Sequence, residues 1–258
     1  MLEEQILNEG PNNIASIMME SIVGAGGCLV MPKGYMQGIR ALCDQYGILM
    51  HVDEVMVGFG RTGKLFGFQN YEGVMPDIVT AAKGISSAAI PLSMTACNEE
   101  IMAFFEDKPL GWGSTYQAHP VAMAIAYENI KHLLQQNIVG HVQAMAPLFE
   151  ACMDRLANDH ACIKQYRNIG LFGCFDVQDP SGANPKLQHE AADEAFLKYK
   201  QAFTENGLAG IHRYPHIHCA PPLNINEHEL IDGFQRLDRA LYVLDEALGY
   251  PIVTERAV

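Results

Sequence analysis

The 258-residue chain is short of basic residues: 17 Lys and Arg stand against 30 Asp and Glu, a formal net charge of −13. Phosphate backbones are bound by concentrated Lys and Arg, so this shortage, with no basic cluster anywhere, argues against a nucleic-acid surface. No run approaches the ~18 apolar residues of a membrane-spanning helix. The opening Met1-Leu2-Glu3-Glu4-Gln5 is acidic and polar, and the expectation is that it is no signal or transit peptide. Seven cysteines, at 28, 43, 97, 152, 162, 174 and 219, contain no CxxC pair. That is the usage of a reducing compartment, with cysteine serving as a small apolar residue, and it implies a soluble cytoplasmic protein. No internal repeat or low-complexity tract is found, and no dinucleotide fingerprint: Gly24-Ala25-Gly26-Gly27 lacks the Gly-x-Gly-x-x-Gly spacing, and Pro32 delays the next helix. What is there is a composition 49% apolar and 18% charged, enough to bury a substantial core.

Short apolar runs alternate with longer helical periods, the pattern of an α/β fold. Ile14–Ser21 reads as a buried strand, and a helix follows Pro32 to about Tyr46 with Tyr35, Ile39, Leu42 and Cys43 on one face. Strands at Ile48–Val52 and Ile78–Ala82 end directly in Asp53-Glu54 and Lys83-Gly84. A further strand at Leu92–Cys97 and a helix over Asn98–Phe105 precede a glycine-rich break, Gly111-Trp112-Gly113-Ser114-Thr115. A long helical tract runs from His119 to Gln136, then restarts near Gly140 and continues to Asn158. Gly170–Val177 alternates like a strand, Ala191–Asn206 reads as helix and Leu208–Ala220 as a strand pair. Asn226, with Glu229 three residues on, marks the N-cap of a last helix reaching Leu248. The natural division is a larger α/β part over residues 1–139 and a smaller α+β part over 140–258.

Asp53 and Lys83 each follow an apolar strand, where open parallel sheets present their chemistry. An aspartate there is as readily an N-cap or a solvated loop residue. A lysine among Ala81, Ala82, Gly84, Ser86, Ser87, Ala88 and Ala89 is less ordinary, because small neighbours leave room for a ligand beside the amine. Its alternative is a solvated surface lysine. Gly113-Ser114-Thr115, just ahead of the His119-Pro120 helix start, offers hydroxyls and backbone N–H groups to an anion, or forms an ordinary capped turn. Together, a strand-end Asp, a strand-end Lys and a hydroxyl cup are what pyridoxal 5′-phosphate (PLP) requires: a partner for its pyridine nitrogen, an amine for its aldehyde and a seat for its phosphate.

Four ordered segments, 51–64 (HVDEVMVGFGRTGK), 76–92 (PDIVTAAKGISSAAIPL), 113–120 (GSTYQAHP) and 207–223 (GLAGIHRYPHIHCAPPL), closely resemble the class III, PLP-dependent ω-amino-acid aminotransferases. The resemblance implies PLP-dependent transferase fold type I: a mostly parallel large domain, here N-terminally incomplete, and a small C-terminal α+β domain. It implies that Asp53 pairs with the pyridinium nitrogen, Val55 packs on one ring face and Lys83 is the Schiff-base lysine that also shuttles the proton. Thr115, helped by Ser114, matches the phosphate contact given to the neighbouring subunit's cofactor in a homodimer. Arg213 falls where many members grip a substrate carboxylate, a task that suits a planar fork of donors. Its alternative is a surface salt bridge, since Tyr214-Pro215 alters the local chain.

Two departures bear on substrate. Where the 4-aminobutyrate branch carries a Gly-Glu-Gly-Gly turn this chain has Gly24-Ala25-Gly26-Gly27, and where that branch has Gln it has Met56. Both point toward the pyruvate-dependent ω-amino-acid, taurine or amine enzymes, with the donor left open. A metal site from His212, His216, His218 and Cys219 is not expected: His216 and His218 project to one strand face, His212 lies on a different segment, and no acidic partner is expected nearby. Glu20 matches a structural Glu and is assigned no chemistry. Members of the family are considerably longer. The upstream phosphate loop and the aromatic that stacks on the other ring face have no counterpart here, so a non-catalytic or trans-complementing fragment is the alternative expectation.

Overall fold

The computed structural model describes residues 1–180, 190–210, 212–213 and 215–251, with only the backbone of 190–193 and 212. Its elements are α1 (Leu2–Glu9), β1 (Ser16–Glu20), β2 (Ile22–Val23), β3 (Leu29–Val30), α2 (Tyr35–Tyr46), β4 (Leu49–Asp53), β5 (Ile78–Ala81), β6 (Met94–Cys97) and α3 (Glu99–Phe104). There follow α4 (Pro120–Gln135), α5 (Ile138–Asp159), β7 (Ile163–Ile169), β8 (Phe172–Val177), α6 (Glu190–Glu205), β9 (His212–Arg213), β10 (His216–Cys219) and α7 (Glu227–Leu248). They form two compact units, Met1–Gly24 with Val30–Gly140, and Ala25–Leu29 with His141–Val258.

The first unit is built on a sheet of order β1-β4-β5-β6, parallel except for β6. Successive strand side chains face opposite ways. Met50 and Val52 therefore enter a core with Met36, Ile39 and Cys43 of α2 and Ile6 of α1, while His51 and Asp53 take the other face. Gly47 ends α2 at φ 66, a left-handed conformation that glycine adopts without steric cost. Asp77 ties α2, β4 and the approach to α3 together: its carboxylate accepts from Met50 N–H (2.7 Å), Arg40 (2.7 Å) and the Asn98 amide (2.9 Å). Asn98 in turn caps α3 through Ile101 N–H at 3.0 Å.

The second unit carries an antiparallel sheet of order β7-β8-β10-β9. Phe175 and Ile217 face its helices and are fully buried, together with Phe149 and Met153 of α5 and Leu241 and Leu244 of α7. A Cβ on Gly173 would lie 2.9 Å from the side chains of both Phe149 and Met153, so α5 packs closely on the sheet at this glycine. Asn226 and Glu229 form the expected capping box at the start of α7, and Gly249 closes that helix at φ 83.

The structure departs from the expected pattern in places. β1 is a half-exposed edge strand rather than a buried one, with Met18 57% exposed. Tyr35 faces solvent and Met36 takes the place in the core expected of it. β8 is buried along nearly its whole length instead of alternating, because helices cover one face and the Asp176 network the other. The helix α1 and the strand β7 had no expectation. β7 is rich in Lys, Gln, Arg and Asn, as befits the outer strand of its sheet.

Candidate active site

Asp53 is the last residue of β4 and pairs in register with Thr80 of β5; Lys83 follows the end of β5. Parallel neighbours place both side chains at the carboxyl end of the sheet, on strands that touch. Asp53 is half-buried, and its Oδ1 accepts the backbone N–H of Val55 at 2.8 Å. Among the described residues its other oxygen has no partner. Lys83 is exposed, and among the described residues its amine meets only the thioether of Met56, a weak acceptor, and no carboxylate. Met56 also lies against the turn at Gly24, where a Cβ would come within 2.7 Å of its Cγ.

The backbone of Lys83 is left-handed, φ 43, as are Phe59 (φ 63), Ser87 (φ 48) and Ala88 (φ 61). Such conformations cost a non-glycine residue roughly 1 kcal/mol or more and persist only where the surroundings enforce them. The enforcing contacts can be named. A Cβ on Gly84 would stand 2.9 Å from Phe59 Cβ and 3.1 Å from the Gly58 carbonyl, so the turn after Lys83 is pressed onto the loop after Asp53. Asn129 of α4 donates to the carbonyls of Gly84 (2.9 Å) and Ile85 (3.0 Å). Ser86, buried, donates to Ile90 O at 2.7 Å. Ile85 sits in a core with Phe59, Ala81, Ala126 and Leu133.

Glu54 was not singled out by sequence, yet it organises the loop that follows Asp53. It is fully buried, and its two oxygens accept the N–H groups of Gly67 (2.6 Å) and Phe68 (2.8 Å). Burial pushes its carboxyl above the usual range, and these backbone donors oppose that shift. Glu20 likewise holds backbone, accepting Gly24 N–H at 2.8 Å. The signal for Glu54 was available: a carboxylate inside an otherwise apolar, glycine-rich stretch needs a partner if buried.

Ser114 and Thr115 lie apart from this arrangement, in a fully exposed stretch before Pro120 opens α4. The backbone N–H of Ser114 donates to Gln117 Oε1 at 3.2 Å, and neither hydroxyl has a partner among the described residues. Exposed apolar side chains flank them, Trp112 at 72% and Tyr116 at 80%.

In the second unit Arg213 is exposed and makes no ion pair among the described residues; its neighbour Tyr214 lies outside them. One expectation is corrected here. His216 does have an acidic partner: its Nδ1 lies 2.8 Å from Asp176 Oδ1 across the β8–β10 pair. Sequence distance hid it, because 40 residues separate the two. Cys174, Asp176 and His216 present potential metal-binding atoms within 4.8 Å of one another. The fork of Arg167 already occupies both Asp176 oxygens, at 2.7 and 2.6 Å, and burial pushes the Cys174 thiol up to about 12. A cation beside a guanidinium and a protonated thiol is an unfavourable site.

The donor set of the first unit fits a pyridoxal-type ring: a half-buried carboxylate for a ring nitrogen, beside an accessible amine with no competing anion among the described residues. Comparison with known proteins agrees. Residues 2–241 match the family model of the class-III aminotransferases. The hypotaurine/taurine–pyruvate aminotransferase of Paracoccus denitrificans is 35% identical over 96% of this chain and 54% of its own length. The diaminobutyrate–2-oxoglutarate transaminase of Halomonas elongata is 29% identical over 96% and 54%. Among solved structures, the taurine:2-oxoglutarate aminotransferase of Bifidobacterium kashiwanohense, in complex with PLP and glutamate, superposes with a TM-score of 0.89 at 36% identity, over 95% of this chain and 55% of that one. The chain thus spans about half the length of the curated relatives it matches, and within that span it belongs to the class III aminotransferase family, with the corresponding part of the type I fold.

Proposed function

We propose that the chain serves a PLP-dependent aminotransferase that moves an amino group from an ω-amino acid or amine, of the taurine or β-alanine type, to a keto acid, with pyruvate as the acceptor. The observation that carries this reading is Lys83: a lysine forced into left-handed backbone at a strand end, its amine accessible and free of carboxylates among the described residues, beside Asp53 on the adjoining strand. Bound PLP supplies an aldehyde that binds amines covalently and a ring that accepts the electrons released at the neighbouring carbon.

The chain's own residues supply the rest. The Asp53 carboxylate, steadied through Val55 N–H, holds a proton on the ring nitrogen. Lys83 Nζ anchors the cofactor in the resting enzyme and carries the proton between the two carbons that exchange it. Val55 covers one ring face. Arg213, whose fork has no ion-pair partner among the described residues, grips the anionic end of the donor or acceptor. Thr115 and Ser114 serve the phosphate of a partner subunit's cofactor in a homodimer, a reading supported by hydroxyls that have no partner among the described residues and by the exposed Trp112 and Tyr116 beside them. Seven unpaired cysteines support a cytoplasmic location. Ala25 and Met56, in place of the Glu and Gln of the 4-aminobutyrate branch, support pyruvate over 2-oxoglutarate, although relatives named for each acceptor are found.

The test is direct. The protein is incubated with PLP, reduced with borohydride and digested, and the labelled peptide is identified by mass. Label on Lys83, absent from Lys83→Ala, supports the reading, and its absence at saturating PLP overturns it for this chain. Amino transfer from taurine to pyruvate against 2-oxoglutarate then decides the acceptor.

A further inference from the structure

On the sheet face of the second unit that carries Arg213, the antiparallel registers bring Gln165, Asp176, His216 and Arg213 into one row across four strands. Asp176 is the hub of that row. It accepts both arms of Arg167 (2.7 and 2.6 Å), the Gln165 amide (2.6 Å) and His216 Nδ1 (2.8 Å). Burial alone would raise its pKa; the bonds from Arg167, Gln165 and His216 outweigh that and hold it down to about 2. An ionised carboxylate only accepts, so the proton of this bond belongs to His216 Nδ1.

That assignment orients the ring. β8 flanks β10 on one side and β9 flanks it on the other. With Nδ1 turned to Asp176 on β8, Nε2 at the far end of the ring is directed to the side of β9, where Arg213 stands directly opposite His216. The Nδ1–Cε1 edge is fixed from a second direction: a Cβ on Gly27, whose φ is +110, would lie 3.2 Å from both atoms. The Gly27 carbonyl is itself held by Arg167 Nε at 2.8 Å. The other ionisable neighbours on this face are Cys174 and His218, whose ring centroid is 6.2 Å from that of His216. Of all these groups, Arg213 alone is exposed and without an ion-pair partner among the described residues.

We propose that His216 is a specificity-determining residue for anionic substrates: its Nε2 adds a hydrogen bond to the carboxylate or sulfonate that Arg213 grips. This rests on the reading of Arg213 given above. The fork of an arginine takes two oxygens of such a group. A sulfonate has a third oxygen, and the donor beside the fork is where it would fall. Nε2 lies across the ring from the nitrogen that Asp176 engages, so it is the atom left to meet the anion. A donor amine without an anionic tail gains nothing from the ring.

Two measurements on the full chain test this. In single-turnover amino transfer, His216→Leu raises the half-saturating concentration of taurine about tenfold or more, whereas His216→Gln, which keeps a donor near Nε2, stays within about threefold of the parent. Half-saturation by benzylamine, which has no anionic tail, is unchanged in both. Equal losses in the Leu and Gln variants, or a parallel shift for benzylamine, would assign His216 to packing and overturn the proposal. Independently of turnover, long-range ¹H–¹⁵N spectra follow the His216 ring as methanesulfonate is added; a saturable shift at Nε2 supports the proposal and a stationary Nε2 overturns it. Arg213→Ala separates the two readings. If it leaves taurine saturation unchanged while His216→Leu raises it, the assignment of Arg213 fails and that of His216 stands. If only Arg213→Ala weakens taurine, the reverse holds.

Discussion

The backbone N–H of Gly67 donates to Oε2 of Glu54 at 2.6 Å, across 13 residues of loop, inside a pocket from which Glu54 is wholly excluded from solvent. With Phe68 N–H on the other oxygen, one carboxylate satisfies two of the donors that begin the turn at Gly67–Asn70. The loop so closed is the one that begins at Asp53 and carries Val55 and Met56. Glu54→Ala leaves two buried N–H groups without acceptors, an expected loss of about 3 kcal/mol. Glu54→Gln keeps one acceptor oxygen and should cost about half as much. Urea unfolding followed by circular dichroism measures both, and equal losses would show that volume rather than hydrogen bonding matters here.

Gly84 makes the second constraint on the site. A methyl group there meets Phe59 Cβ at 2.9 Å and the Gly58 carbonyl at 3.1 Å, and neither is the free end of a flexible chain. Gly84→Ala must therefore lift the Lys83 turn off the loop after Asp53. The expected stability loss is about 1–3 kcal/mol. The more telling result is chemical: borohydride-fixed PLP at Lys83 should fall severalfold at a PLP concentration that half-labels the parent. Undiminished labelling would mean that the packing of this turn does not set the position of the lysine.

How much of this could be read beforehand differs from residue to residue. The places of Asp53 and Lys83 at strand ends were legible because polar residues there stand out against apolar runs; the roles proposed for them come from the resemblance. Arg213 was singled out only through the resemblance. Asp176 and Asn129 were not legible at all, because each acts on a residue some 40 positions distant, through register and packing that no local pattern encodes. β7 escaped because its polar, charged sequence lacks the apolar run that marked the other strands. The β1 expectation failed for a related reason: an apolar strand reads the same whether its outer edge is paired or open.

Asn129 offers a test of support delivered from a neighbouring helix. Its amide reaches both carbonyls of the turn that follows Lys83, at 2.9 and 3.0 Å. Asn129→Ala removes both bonds and is expected to cost about 1–2 kcal/mol. Weaker PLP labelling of Lys83 in this variant would trace to the loss of these two bonds to the turn. Hydrogen exchange at Ile85 and Ser86 checks that cause directly: their amides should exchange faster in the variant, and unchanged protection would refute it.

The last prediction concerns pH. His160 is 1% exposed and lies between two carboxylates, Nδ1 2.7 Å from Asp245 and Nε2 2.8 Å from Asp238. Carboxylates only accept, so the ring must carry both protons and be an imidazolium. Burial pushes its pKa down, but the bonds to Asp238 and Asp245 outweigh this and leave it above the usual imidazole value. For Asp238 burial pushes up, and the bonds from His160 and Arg155 win, leaving it below the usual carboxylate value. Cys162 N–H completes the cluster on Asp245 at 2.8 Å, tying the start of β7 to α7. A raised imidazole stabilises the fold fully below its unfolded value of about 6.5 and loses that contribution as pH rises through the folded one. A lowered carboxylate stabilises above about 3.9 and loses its contribution as pH falls. The cluster is therefore worth most between about pH 4 and pH 6.5. His160→Gln removes the cation between the two carboxylates, leaving Asp238 paired with Arg155, and should cost about 3 kcal/mol in that window. The gap between variant and parent in urea unfolding should shrink as pH is raised toward 9, because the parent then loses its imidazolium. A gap that stays constant from about pH 5 to pH 9 would mean that the ring is neutral in the folded protein, and that one of the two carboxyl groups carries the proton instead.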